Sequence, residues 1–129
     1  MNNDIKYVGI DIGGSHTKIA LVTSNYEIID EDNVFYGNIK PNLKPSYIYE
    51  HITKYIDNLS KEIFDNIKRI AVACPGITKN NKIIGAVNLG GNSDILIKIE
   101  KKYNLPLYST NDAVAASFAQ LKRFTYKYW

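Results

Sequence analysis

The sequence predicts an α/β domain built on one mixed five-stranded sheet covered by helices, and three observations carry that expectation. Ile5 to Ile12 and Arg69 to Cys74 are almost continuously apolar, as strands buried on both faces are. Between Ser46 and Ile63 the apolar residues recur at intervals of three and four, which is a helical stripe. Turn and breaker residues then separate the chain into the order strand, strand, strand, helix, strand, helix, strand, helix.

Taken in order, Ile5 to Ile12 forms the first strand and Gly13-Gly14 ends it. The second strand runs from about Thr17 to Val22, and two glycines between such runs suit a tight hairpin whose turn needs positive φ angles. A third strand is expected at Asn33 to Tyr36, after the polar turn Asp30-Glu31-Asp32. Pro41 to Pro45 is a loop, and Ser46 is placed to cap a helix that buries Ile48, Ile52, Tyr55, Ile56, Leu59 and Ile63. The strand Arg69 to Cys74 stops at Pro75-Gly76, and right-handed crossover sets it parallel to the first strand and beside it. Ile77 to Val87 is a short excursion turning at Asn80-Asn81, followed by the loop Asn88 to Asn92. Ser93 or Asp94 opens a helix carrying Leu96, Ile99 and Tyr103, which Asn104 and Pro106 terminate. Leu107 to Ser109 is the fifth strand. Asn111 or Asp112 starts a last helix whose Ala113, Ala115, Ala116 and Ala119 allow close approach to a sheet, and Phe124 to Trp129 has no clear element.

Composition narrows the function classes. The 129 residues are 45% hydrophobic and 22% charged, which suits one folded domain rather than a disordered chain. A net charge of +3 spread along the chain gives no nucleic-acid footprint, and the ten tyrosines read as packing residues, not a base-stacking platform. No stretch approaches the roughly 20 apolar residues of a membrane span, and Met-Asn-Asn-Asp is not a signal segment, so the cytoplasm is the expected location. Cys74, the single cysteine, has no Cys or His neighbours at ligand spacing; a buried thiol is expected and no zinc or other metal cluster. His16 and His51 are assigned no site.

Three segments carry chemistry. In Asp11-Ile12-Gly13-Gly14-Ser15-His16-Thr17-Lys18, a strand-end carboxylate precedes two glycines, hydroxyl residues and a lysine. Glycine exposes backbone N–H groups to anionic oxygens, and a carboxylate can hold hydrated magnesium. The spacing excludes a P-loop and a dinucleotide fingerprint. By itself the segment serves equally as a plain hairpin beside a solvated aspartate. In Ser109-Thr110-Asn111-Asp112-Ala113-Val114-Ala115-Ala116, an aspartate at a helix start is held ionised by the helix dipole and is able to accept a proton, though simple N-capping gives the same pattern. The third segment is Cys74-Pro75-Gly76 followed by Gly85-Ala86-Val87-Asn88-Leu89, where glycines and asparagines suit a hydroxyl-rich ligand or an ordinary polar loop.

Together these segments resemble the ROK family (repressors, open reading frames and kinases) in motif order, within the sugar kinase, actin and chaperone superfamily. The resemblance implies the N-terminal lobe of a ribonuclease H-like, actin-like ATPase fold, with helices on both faces of its sheet, over residues 1–124, leaving 125–129 as a tail. It implies ATP- and Mg2+-dependent phosphoryl transfer to a hydroxyl of a hexose or amino sugar. Asp112 would be the catalytic base. Asn111, Asn88, Gly76 and Gly91 would shape the sugar site, with Asn92 a weaker candidate. Asp11, Gly13, Gly14, Ser15, Thr17 and Lys18 would face phosphate and magnesium, Lys18 being either a phosphate-facing charge or a strand-edge cation. Family members are about twice this long, so a second lobe holding the rest of the ATP site is expected to be missing. A noncatalytic sugar- or partner-binding module, self-association and a complementing second lobe therefore stay open, as does activity of the chain by itself. A repressor is disfavoured because the first strand begins near Ile5 and leaves no room for a helix-turn-helix.

Overall fold

The computed structural model describes residues 5–111. Strands β1 (Lys6–Ile12), β2 (His16–Thr23) and β3 (Ile28–Phe35) form an antiparallel meander. Helices α1 (Lys44–Asp57) and α2 (Lys61–Asp65) then lead to β4 (Ile67–Cys74), which lies parallel to β1. Strands β5 (Ile77–Lys79), β6 (Lys82–Ala86) and β7 (Gly91–Ser93) follow, with a 3-10 turn at Val87–Leu89 between the last two. Helix α3 (Ile95–Tyr103) and strand β8 (Leu107–Asn111), parallel to β4, complete the described chain.

The main sheet has the order β3-β2-β1-β4-β8. A meander followed by parallel strands added beside β1 is the ribonuclease H-like arrangement. Alternation along each strand divides the sheet into two faces. Val8, Ile10 and Ile12 of β1, Ile19 and Leu21 of β2, and Ile70 and Val72 of β4 join Ile48, Ile52 and Ile56 of α1 and Ile95, Leu96 and Ile99 of α3 in one core. Both long helices thus cover the same face. The helix expected against the other face falls at and beyond Asp112, outside the described residues, as does the tail.

Several expected boundaries move, each for a physical reason. β3 begins at Ile28 instead of Asn33, because its first six residues are exposed on an edge strand and leave no alternation to read. Ser46 does not cap α1: the helix starts at Lys44 after Leu43, with Pro45 in its first turn, where a missing N–H costs nothing. The stripe breaks at Asn58, and Ser60 opens α2 by accepting the Ile63 N–H at 3.2 Å, so Leu59 and Ile63 reach the core from separate elements. The expected loop Asn88 to Asn92 is partly regular, since β7 joins β5 and β6 in a second small sheet. Asn80 and Asn81 make the tight turn, with φ of 53° and 63°. Asn104 ends α3 in the left-handed region, with its N–H on Glu100 O. Finally β8 extends to Asn111, which makes that residue the end of a strand and not a helix start.

Candidate functional site

Because β1, β4 and β8 are parallel, their carboxyl ends share one edge of the sheet. Open α/β sheets bind ligands outside that edge, where loops leave the strands and backbone groups lie unpaired. The register sets Lys18, Asp11, Ala73 and Thr110 in one row across β2, β1, β4 and β8, with Asn111 one position beyond. Asp11 is thus two strands, or roughly 10 Å, from Thr110 along that row. Asp112, the expected base, follows Asn111 and lies outside the described residues.

The hairpin between β1 and β2 is held by its carbonyls. Gly13 N–H donates to His16 O at 2.7 Å, and Tyr36 N–H donates to Ser15 O at 2.8 Å. The Tyr36 hydroxyl lies within bonding distance of both Gly13 O and His16 O, the latter at 3.0 Å, and shares its one proton between them. Burial, reinforced by the nearby charge of Asp11, raises the Tyr36 pKa against an opposing contact with Thr17, which keeps the phenol a donor. With those carbonyls drawn inward, no hydrogen bond among the described residues uses the N–H of Gly14 or Ser15. Neither Gly13 nor Gly14 has positive φ, contrary to the expectation for a two-residue turn, because the loop spans Gly13 to Ser15 and closes through His16.

Not every sequence candidate stands where expected. Thr17 pairs with Ile12 on the core face and is fully buried, so its hydroxyl lies beneath the hairpin and not at a phosphate-facing surface. Its hydroxyl has no hydrogen-bond partner among the described residues, although it lies near enough to the Tyr36 phenol to oppose the rise of that group's pKa. Lys18 sits on an interior strand, not at a sheet edge. It lies opposite Asp11 across the ladder on the face that the described helices leave uncovered. There Asp11 and Lys18 border a groove of about 420 Å³ floored by Gly9, Ala71 and Ala73.

Asn88, distant in sequence, reaches the hairpin: a Cβ built on Gly14 would be 3.5 Å from Asn88 Nδ2. Gly76 has φ +78°, and a Cβ there would come within 2.6 Å of Ile84 O, so only glycine fits. Its carbonyl accepts the Asn111 amide at 2.5 Å, which ties the Pro75-Gly76 turn to the end of β8. Gly91 opens β7 opposite Ala86. Asn92 Oδ1 accepts the Gly85 N–H at 3.0 Å and is engaged inside the small sheet. Cys74 is fully buried.

Sequence reasoning missed Tyr36 as the clamp of the hairpin; the aromatic pair before Gly37 was its only signal. It also missed the bond network that seats the β5–β6 hairpin on β8. There Asn81 donates to Leu107 O at 3.0 Å and accepts from Ser109 Oγ at 2.6 Å.

The hairpin, the Pro-Gly turn and the Asn-Asp segment match a family model, described as the ROK family, over residues 7–123. The chain belongs to the ROK family. Within it, a glucokinase of Halalkalibacterium halodurans is 28% identical over 128 residues, which are 92% of this chain and 37% of that protein. The chain therefore spans less than two fifths of that relative. The fold is shared with a ROK family glucokinase from Streptomyces griseus solved in complex with glucose and AMPPNP, at 20% identity, TM-score 0.64, and coverage of 87% of this chain and 35% of that one. It is shared equally with a ROK family transcriptional regulator, a homologue of the E. coli MLC protein. That match has 18% identity, TM-score 0.70, and coverage of 86% of this chain and 28% of that one. ROK membership thus spans kinases and regulators. No helix among the described residues is long and apolar enough to cross a membrane.

Proposed function

We propose that this chain is the sugar-contacting lobe of an ATP-dependent ROK sugar kinase that phosphorylates a hydroxyl of a hexose or amino sugar in the cytoplasm. The observation that carries the reading is the gathering of the hairpin's unpaired N–H groups, Asp11, Asn88 and the Asn111 end of β8 at one edge of a single sheet. Phosphoryl transfer asks a protein mainly to position groups and stabilise charge, and backbone donors beside a carboxylate do both.

In this reading Gly14 and Ser15 receive terminal phosphate oxygens, while Asn88 and the Pro75-Gly76 turn shape the sugar site. Asn111 braces that turn through Gly76 O. Asp112 takes the proton of the attacking hydroxyl. Among the described residues no cluster of three acidic, His or Cys side chains is placed to cage a metal. One exposed strand-end carboxylate, Asp11, is what a cation that keeps its waters and binds mostly through phosphate oxygens requires. Bound there, magnesium would neutralise phosphate charge.

A noncatalytic sugar- or partner-binding module is the second reading, favoured by the bonds that brace the Gly76 turn and the end of β8 within the described residues. A complementing second lobe or a second copy would be its partner. Calorimetry with hexoses and N-acylated amino sugars, with and without Mg-ATP, followed by a coupled kinase assay, separates the two. Sugar heat without turnover supports the module; turnover supports the kinase. Asp112→Asn is expected to lower turnover at least about 100-fold and to leave sugar affinity within about tenfold. An active Asp112→Asn protein rejects the base assignment.

A further inference from the structure

Lys44 breaks two local rules at once. It is the first residue of α1, at the positive end of a 14-residue helix whose first turn holds no acid. It is also buried, with only 6% of its surface exposed. Among the described residues no carboxylate lies within ion-pair distance of it, and its one partner is the Tyr36 ring, whose centroid is 5.8 Å from Nζ. A lysine that merely snorkels leaves its head in water. Here the residue as a whole keeps only a small contact with water, and the helix dipole opposes the charge.

The surroundings give that charge a use. The ring beneath Lys44 carries the hydroxyl that clamps Gly13 O and His16 O. On the other side, the loop leading into α1 packs on the segment that follows Asn88, where a Cβ on Gly90 would be 3.2 Å from Pro41 O. Lys44 is therefore rooted in the wall between the hairpin and the Asn88 loop. A fixed cation without a counter-ion, set behind a loop with two unused N–H donors, is an arrangement that an anion completes.

We propose that Lys44 is a positioning residue of the hairpin, its ammonium supplying, from the far side of the Tyr36 ring, the positive field that draws a phosphate-class anion onto Gly14 and Ser15. This rests on the kinase reading of the hairpin. Lys44 is not placed in contact with the anion and acts across the ring, whose body keeps water out of the path between them.

The test is titration of inorganic tripolyphosphate into the wild-type chain and its Lys44→Met and Lys44→Arg variants, by calorimetry at low and moderate salt. Sugar binding and the thermal midpoint are measured alongside. Lys44→Met is expected to bind tripolyphosphate about tenfold more weakly, with a flatter salt dependence, unchanged sugar affinity and no loss of thermal stability. Lys44→Arg is expected to keep the wild-type value. Equal tripolyphosphate affinity in Lys44→Met overturns the inference and leaves the kinase reading standing. Equal losses of sugar and tripolyphosphate affinity overturn it in favour of a packing role. A wild-type chain that binds sugar but no tripolyphosphate or Mg-ATP overturns both. If Lys44→Met does not fold, Lys44→Gln in the same titration decides by the same criteria.

Discussion

Replacing Gly76 by alanine tests the turn on which Asn111 depends. Two costs are separable. A non-glycine residue at φ +78° loses about 1–2 kcal/mol of backbone energy. The added Cβ, 2.6 Å from the carbonyl oxygen of Ile84, meets backbone that cannot rotate away, and such overpacking costs typically about 1–3 kcal/mol. Gly85→Ala is the control, because φ is +72° there and nothing lies within 4 Å of where its methyl group would sit. It carries the backbone cost alone. Urea denaturation should thus place Gly76→Ala below Gly85→Ala by roughly 1–3 kcal/mol, and thermal midpoints should differ by about 4–8 °C for each kcal/mol in a domain of this size. Because Gly76 O accepts from Asn111, the shifted turn should also weaken sugar binding by about tenfold, measured by calorimetry. Equal stability of the two variants would show that the Ile84 carbonyl moves freely. Wild-type sugar affinity in Gly76→Ala would remove the turn from the site.

Two further outcomes follow from the same contacts. Tyr36→Phe strips the phenol from Gly13 O and His16 O and should lower stability by about 1–2 kcal/mol in urea while weakening tripolyphosphate binding; a variant as stable as wild type would mean the clamp holds nothing. Tyr103 is raised above the ordinary phenol range by burial first and then by its hydrogen bond to the Asp57 carboxylate, and Tyr55 similarly by burial and Asp30. The folded state therefore keeps protons that the unfolded state releases above pH about 10, so stability is fully present below that value and falls as pH rises through it. Tyr103→Phe should flatten the decline in urea midpoint on the alkaline side, and an unchanged slope would refute the assignment.

How much of this was legible in the sequence follows from what each residue's pattern records. The strands β1 and β4 and the helix α3 were readable because the core-facing side of each strand, or one stripe of the helix, must be apolar, and Ile10, Ile70 and Leu96 are. The other face of the strands is not buried among the described residues, contrary to the expectation of strands covered on both sides. β3 was half lost because its acidic, exposed edge needs no alternation. The small sheet was lost because strands of three residues, such as Gly91–Ser93, carry no period at all. In the site, Asp11 and the two glycines announce themselves by type. Thr17 misled because hydroxyl chemistry says nothing of direction: only the register with Ile12 turns it inward. Tyr36 and Lys44 were silent because their roles lie in what they touch after folding.

The geometry also separates the two halves of the proposed chemistry. Two of the residues assigned to the sugar, Gly76 and Asn111, are fastened within the described residues: the Asn111 amide on Gly76 O, the glycine-only approach to Ile84 O, and the Asn81 bonds that seat the β5–β6 hairpin on β8. The hairpin side differs. Its carbonyls are fixed, but among the described residues the N–H groups of Gly14 and Ser15 have no hydrogen-bond partner and Lys44 has no carboxylate within ion-pair distance. A braced turn binds with little further ordering, whereas N–H donors without protein partners gain charge-assisted hydrogen bonds when an anion arrives. On the proposed reading, the Pro75-Gly76 turn of the sugar side is braced before any ligand arrives, and phosphate is the ligand that would engage the N–H groups of Gly14 and Ser15.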